Sequence, residues 1–217
     1  IIAAFFLLLA QRRLISMKSM KNLKEKIFDG ALWIFASSLF VNWTLIFILL
    51  VWIYIYYYTP KKVNFWLIPI AAGITVGLIS WSLFYLLGDS EFLFDHFSFS
   101  MEYFGIKNLP AFSLIKIAGF LILVTVAGII AFVKQGKSGQ GRLIQLRLLV
   151  VVWILTVLVA FLTGERLIST ISFAFFASAV FVARYVESIR RVFLKEIILY
   201  SATVFSILIF FLEWVGK

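Results

Sequence analysis

The chain has no cysteine, one histidine and three prolines in 217 residues. Without cysteine there is no disulfide framework and no thiolate metal site. One histidine excludes a histidine-rich metal centre. Charge is also scarce. Asp, Glu, Lys and Arg make up 14% of the residues, against about 25% in a soluble domain. These shortages exclude a soluble enzyme, a disordered chain and a secreted disulfide scaffold. A phosphate loop is missing too. Gly136-Lys137-Ser138 has its ending, but position 131 is Ala131 rather than the required glycine. The residues point to no cofactor and no metal.

What is abundant is hydrocarbon. Apolar residues make up 64% of the chain. They fall in segments 1–10, 30–58, 65–88, 111–133, 148–163, 167–183 and 197–214. A spanning helix takes about 20 apolar residues. The pattern predicts an all-α polytopic transmembrane bundle of about seven or eight membrane helices, two pairs of them short-helix hairpins. It reads as a single transmembrane domain over 1–217. Ile1–Ala10 is too short to span and lacks the basic flank of a signal peptide. It reads as the second half of a helix that begins upstream.

Charge decides the topology. Segment 30–58 is long for one crossing: at 1.5 Å per residue it reaches about 43 Å, against a hydrocarbon core of about 30 Å. If it crosses once, Lys and Arg divide 10 to 10 between the two sides. If it bends back near Ser37–Asn42, they divide 16 to 4, the four being Lys107, Lys116, Arg166 and Lys217. The positive-inside rule selects the bend. Breaks 11–29, 59–64, 134–147 and 184–196 are then cytoplasmic, and 89–110, the tip at 164–166 and the C-terminus face outward. The inner side carries +12 and the outer side −2. The excess of basic residues thus follows from membrane orientation, and nucleic acid is not an expected partner. The expected location is a membrane crossed several times, with the basic breaks on its cytoplasmic side.

Several stretches carry further expectations. Within 11–29, residues 12–27 have the pattern of a basic cytoplasmic surface helix, with Met20, Leu23 and Ile27 opposite Lys18, Lys21 and Glu25. Ordinary anchoring is one reading of it; a site for a phosphate-bearing lipid at Arg12 and Arg13 is the other. Trp52, Tyr54, Tyr56, Tyr57 and Tyr58 before Pro60-Lys61-Lys62 suit the headgroup layer. Gly73 and Gly77 form a GxxxG pair that predicts close helix packing inside the bundle. Residues 135–141, rich in Gly, Ser and Gln, read as a basic linker.

The outer loop 89–110 is the most distinctive stretch. Glu91, Asp95, Ser98 and Glu102 make one helical stripe, and Phe94, Phe97, Met101 and Phe104 another. This predicts a short amphipathic helix in the outer interface with an acidic edge. Asp95 and His96 are candidates for an acid/base pair, with Glu102 beside them. A solvated edge is the plainer reading. Glu165 and Arg166 form a second candidate pair at the tip of a tight hairpin. Arg166 and Lys116 are candidate outer-side cations for a lipid phosphate. No acidic or basic residue lies clearly at mid-depth, which disfavours an ion-coupled pump.

Ala10-Gln11-Arg12-Arg13, Ile27-Phe28-Asp29-Gly30-Ala31-Leu32-Trp33-Ile34 with Ala36-Ser37-Ser38-Leu39-Phe40, and the stretch Glu165 to Glu187 resemble a family of uncharacterised multi-pass inner-membrane proteins of flavobacteria and their relatives, known as a domain of unknown function. The resemblance implies further helices upstream. Arg166, followed by the small-residue helix Ser169 to Ala183, is also similar to polytopic glycosyltransferases that use polyprenyl-phosphate-linked sugars. The present chain has Leu167 where those enzymes carry Tyr, and Phe175 and Phe176 where they carry Pro. This second resemblance implies handling of polyprenyl-phosphate lipids in envelope biogenesis. Whether the chain is an enzyme stays open. The alternative is a non-catalytic subunit or scaffold of an envelope complex, docking a membrane-protein partner through 89–110.

Overall fold

The computed structural model describes residues 1–88, 91–98, 111–135, 140–163 and 170–187, with a few single positions beyond. Every regular element among them is helical, with no strand. The helices are α1 (Ile2–Ile15), α2 (Leu23–Ser38), α3 (Ile48–Tyr58), α4 (Val63–Leu86), α5 (Phe92–His96), α6 (Ala111–Gln135), α7 (Gln140–Thr163) and α8 (Phe175–Glu187). Among the described residues, α4 is the one helix long and apolar enough to cross a membrane. Shorter apolar stretches cover Asn42–Tyr58, Ile117–Val133 and Ile144–Ala160. The candidate tip at 164–166, residues 99–110 and segment 205–217 lie outside the described residues.

α1 and α2 form the closest pair. Ala3, Leu7, Ala10 and Leu14 are buried along one face of α1. They meet Ile27, Gly30, Ala31 and Ile34 of α2. Gly30 lets the backbones approach. A Cβ there would sit 2.8 Å from Leu14 Cδ2. Small residues at such a seam give dispersion contacts that larger side chains would hold apart. The pair is antiparallel: Ser37 Oγ, at the end of α2, donates to the Ala3 carbonyl at the start of α1, 2.9 Å away.

The turn between them corrects one expectation. Residues 12–27 are not one surface helix. α1 runs through Arg12 and Arg13 to Ile15, a 3₁₀ turn covers Ser16–Ser19, and α2 starts at Leu23. Met20 and Asn22 take left-handed backbone angles, with φ of 55° and 49°. Asn adopts that region readily. Met17 and Ile27 then fall into the core, while Lys18, Met20 and Lys21 stay outside. Lys26 is buried instead of solvated. Its ammonium donates to the Ser16 carbonyl at 2.8 Å and to Ser19 Oγ. This ties the start of α2 back to the carbonyl-rich end of α1, where a cation is favoured.

The long segment 30–58 breaks where the charge count requires it. α2 stops at Ser38, Val41 is extended, and a 3₁₀ turn over Asn42–Phe47 leads into α3. α3 returns along α2 until it meets the Ser16–Ser19 turn. The polar side chains of the break bond within it. Ser38 Oγ donates to the Phe35 carbonyl, Thr44 Oγ1 to the Val41 carbonyl, and the Trp43 N–H to Asn42 Oδ1. Ser37, Ser38 and Thr44 are buried. A helix end inside an apolar environment is tolerable only with such satisfaction.

α4 then runs beside α2, and α5 caps that end. Phe92 of α5 stacks on Phe84 of α4 at 4.3 Å, and Phe94 meets Trp81 edge-on at 5.8 Å. Gly73 of the GxxxG pair packs under Phe35 of α2, where a Cβ would lie 2.7 Å from the ring; Gly77 has open space. The remaining helices close the bundle. α7 packs on the 42–47 turn and α3, and α6 lies along α8. Phe120 meets Phe175, and Gly128 faces Phe181, so α6 and α8 run in the same direction. α7 begins at Gln140, eight residues before the expected apolar start, so part of the expected linker is helix. Leu146 and Leu148 are buried on it while Arg147 stays exposed. Arginine is a good helix former, so the basic break does not stop the helix.

Candidate functional site

The bundle has two chemically distinct ends. Lys18 and Lys21 in the first turn and Lys61 and Lys62 after α3 sit at one end, because α3 descends to the Ser16–Ser19 turn. Glu91 and Asp95 sit at the other, because α5 is bonded to the break after α2.

At the acidic end the described candidates do not form an acid/base pair. His96 Nε2 lies 2.9 Å from the Ser38 carbonyl oxygen, and Asn42 Nδ2 donates to the His96 carbonyl at 3.1 Å. The imidazole stacks on Phe92 at 5.4 Å and meets Phe97 edge-on at 5.2 Å. One of its two ring nitrogens is thus engaged by the helix break. Asp95 is exposed, and among the described residues its carboxylate has no partner; Ser98 Oγ bonds its backbone carbonyl instead. No group of three or more metal-binding side chains occurs among the described residues. Glu102, Glu165 and Arg166 lie outside those residues, and so does the side chain of Lys116, whose backbone belongs to α6.

Under α5 lies a cavity of about 680 Å³ between α2 and α4, walled by Phe35, Leu39, Gly73, Gly77, Trp81 and Phe97. Its two hydroxyls are satisfied by their own helices, Ser38 on Phe35 and Ser80 on Val76. It offers a ligand hydrocarbon contacts and nothing ionic.

The basic end holds the charged groove. Arg13 and Asp29 face each other across the α1–α2 seam. Arg13 Nε donates to Asp29 Oδ2 at 2.7 Å, and Nη2 lies 2.6 Å from the same oxygen. Arg12 and Arg13 are successive residues in a helix and so diverge by about 100°. Both nevertheless line one cavity of about 460 Å³ with Asp29, over a floor of Leu9, Leu32 and Trp33. Arg12 is exposed, and among the described residues its guanidinium has no hydrogen-bond or ion-pair partner. Among the same residues the site therefore presents a free fork of donors, a paired arginine, one carboxylate oxygen that takes no bond, and an apolar aromatic base. Arg12 and Arg13 are legible in the sequence as a basic flank. Asp29 is not, since its pairing depends on the turn at 16–22. Trp33 is missed as well, because it reads as one more core aromatic.

No family model, no curated protein and no solved structure matches the chain. Function therefore rests on the chemistry of these two ends.

Proposed function

We propose that the chain is a multi-pass protein of the bacterial inner membrane that handles phosphate-bearing lipids of the polyprenyl-phosphate class in envelope biogenesis. The observation that carries the reading is the guanidinium of Arg12, unpartnered among the described residues and set beside Arg13 over Leu9, Leu32 and Trp33. Arginine forks match phosphate geometry, and an apolar floor beside them suits a molecule with a charged head and a hydrocarbon body.

The membrane setting is supported by which surfaces are greasy. Leu67, Ile70, Ile74 and Leu78 form an exposed stripe along α4, and Ile122, Val126, Ile129 and Val133 form another along α6. A water-soluble protein rarely exposes apolar faces of that extent. By length alone, α6 and α7, with 25 and 24 residues or about 36–38 Å at 1.5 Å per residue, match a core of about 30 Å, and each contains a shorter apolar stretch, Ile117–Val133 and Ile144–Ala160. The bend at 39–41 supports a re-entrant or double crossing by α2 and α3, which returns the chain to its basic side.

Native mass spectrometry of the full-length protein, gently extracted from its own membrane, tests this. The expected spectrum shows a retained phosphate-bearing lipid. A protein partner at fixed stoichiometry, with no such lipid, would instead make the chain a subunit of an envelope assembly.

A further inference from the structure

The groove at the basic end has a definite charge, which any phosphate entering it would meet. Arg12 and Arg13 contribute two positive charges and Asp29 one negative, so the site carries a net +1. Arg13 directs two of its nitrogens at a single oxygen, Asp29 Oδ2. Asp29 Oδ1 remains for a donor, and the fork of Arg12 remains for an acceptor. A phosphomonoester at its second ionisation brings two negative charges, one of them uncompensated next to the Asp29 carboxylate. A phosphodiester brings one negative charge and neutralises the site. A hydroxyl or ammonium on the same headgroup then meets Asp29 Oδ1.

We infer that the Arg12–Arg13–Asp29 groove is a headgroup site for a monoanionic lipid phosphodiester whose headgroup carries a hydrogen-bond donor. Arg12 holds the phosphate, Asp29 accepts from the headgroup, and Leu9, Leu32 and Trp33 take the start of the hydrocarbon. A polyprenyl phosphodiester of a sugar and a glycerol-headed phospholipid share this chemistry. The inference rests on the lipid-handling reading above and narrows it: Asp29 is what separates diester from monoester.

The test is a binding titration on purified full-length protein in detergent. The probes are dihexanoylphosphatidylglycerol, dihexanoylphosphatidylmethanol, dihexanoylphosphatidate and lipid-free glycerophosphoglycerol. The wild type is expected to bind the glycerol diester about tenfold more tightly than the methyl diester, which carries the same single charge and lacks a donor; one hydrogen bond to a charged group is worth that factor. Arg12→Gln is expected to lose about tenfold for both diesters, and Arg12→Lys to fall between. Asp29→Asn frees Arg13 and leaves a net +2. It is expected to abolish the glycerol-over-methyl preference and to turn the protein toward phosphatidate. A merely structural Asp29 would not reverse that order. Unchanged binding in Arg12→Gln, or a wild-type preference kept in Asp29→Asn, overturns the inference. So does equal affinity for lipid-free glycerophosphoglycerol, since the apolar floor would then do nothing. Protein that carries a phosphate-bearing lipid from its own membrane yet shows none of these differences leaves lipid handling standing and removes this site. Protein that binds none of the probes and carries no such lipid removes both.

Discussion

His96 and Ser38 are 58 positions apart, and the His96 imidazole nitrogen Nε2 reaches the Ser38 carbonyl oxygen at 2.9 Å. The bond closes from the other side as well, since Asn42 donates to the His96 carbonyl at 3.1 Å. α5 is thereby clasped to the one place where the segment 30–58 leaves its helix. A carbonyl at a buried helix end needs a donor, and the imidazole supplies it. A residue that the sequence offers as half of an acid/base pair holds a turn together.

Removing that clasp should loosen the acidic end without unfolding the bundle. His96→Ala is expected to cost about 1–2 kcal/mol, the range for a part-buried hydrogen bond and the orphan it leaves. Asn42→Ala should cost less than its own full share once His96 is gone, because the two act on one contact. Thermal unfolding of the single and double variants, with hydrogen exchange over 38–47, reads both. Additive losses would mean that the two bonds are independent.

Gly73 and Gly77 should differ sharply despite their shared motif. A Cβ at Gly73 would lie 2.7 Å from the Phe35 ring, while Gly77 has nothing within 4 Å. Gly73→Val is expected to destabilise by about 1–3 kcal/mol through overpacking, and Gly77→Val to change little. Phe35→Leu in the Gly73→Val background should recover part of the loss. Equal effects at the two glycines would contradict the packing of α2 on α4.

Lys26 offers a third check. Its ammonium joins the Ser16 carbonyl and Ser19 Oγ across the first turn. Lys26→Met keeps most of the aliphatic stem and removes both bonds. The expected loss is about 1–3 kcal/mol, with faster hydrogen exchange in residues 16–22. An exposed basic residue of the same stretch, Lys21→Met, should be silent in the same measurement.

The two ends can be assigned to compartments because the native chain has no cysteine. Ser98 and Lys61 are exposed, at the acidic and basic ends respectively. A membrane-impermeant thiol reagent is expected to label Ser98→Cys in intact spheroplasts and Lys61→Cys only after permeabilisation. The opposite pattern would invert the topology and move the Arg12 groove to the outer face.

Much of this architecture is legible in the residues alone. Long apolar stretches with few breakers dictate helices, and the break near Ser37–Asn42 follows from the length of 30–58 together with the distribution of Lys and Arg. The surface helix over 12–27 does not survive, because its periodicity is that of two helices read through a turn. Nothing local marks Met20 as a left-handed residue, and the pattern that puts Met20, Leu23 and Ile27 on one face assumes that the helix runs on.

The site divides along the same line. By itself the sequence determined helix, apolar exterior, basic and acidic breaks, and the candidacy of Arg12 and Arg13; each is a property of neighbours along the chain, summed over a turn or a loop. Only the tertiary structure decided that Arg13 faces Asp29 over a gap of 16 positions, that Lys26 turns inward, and that His96 serves Ser38. Those pairings depend on how antiparallel helices register after two irregular turns. A one-residue shift in either turn would rotate a helix by about 100° and exchange the partners.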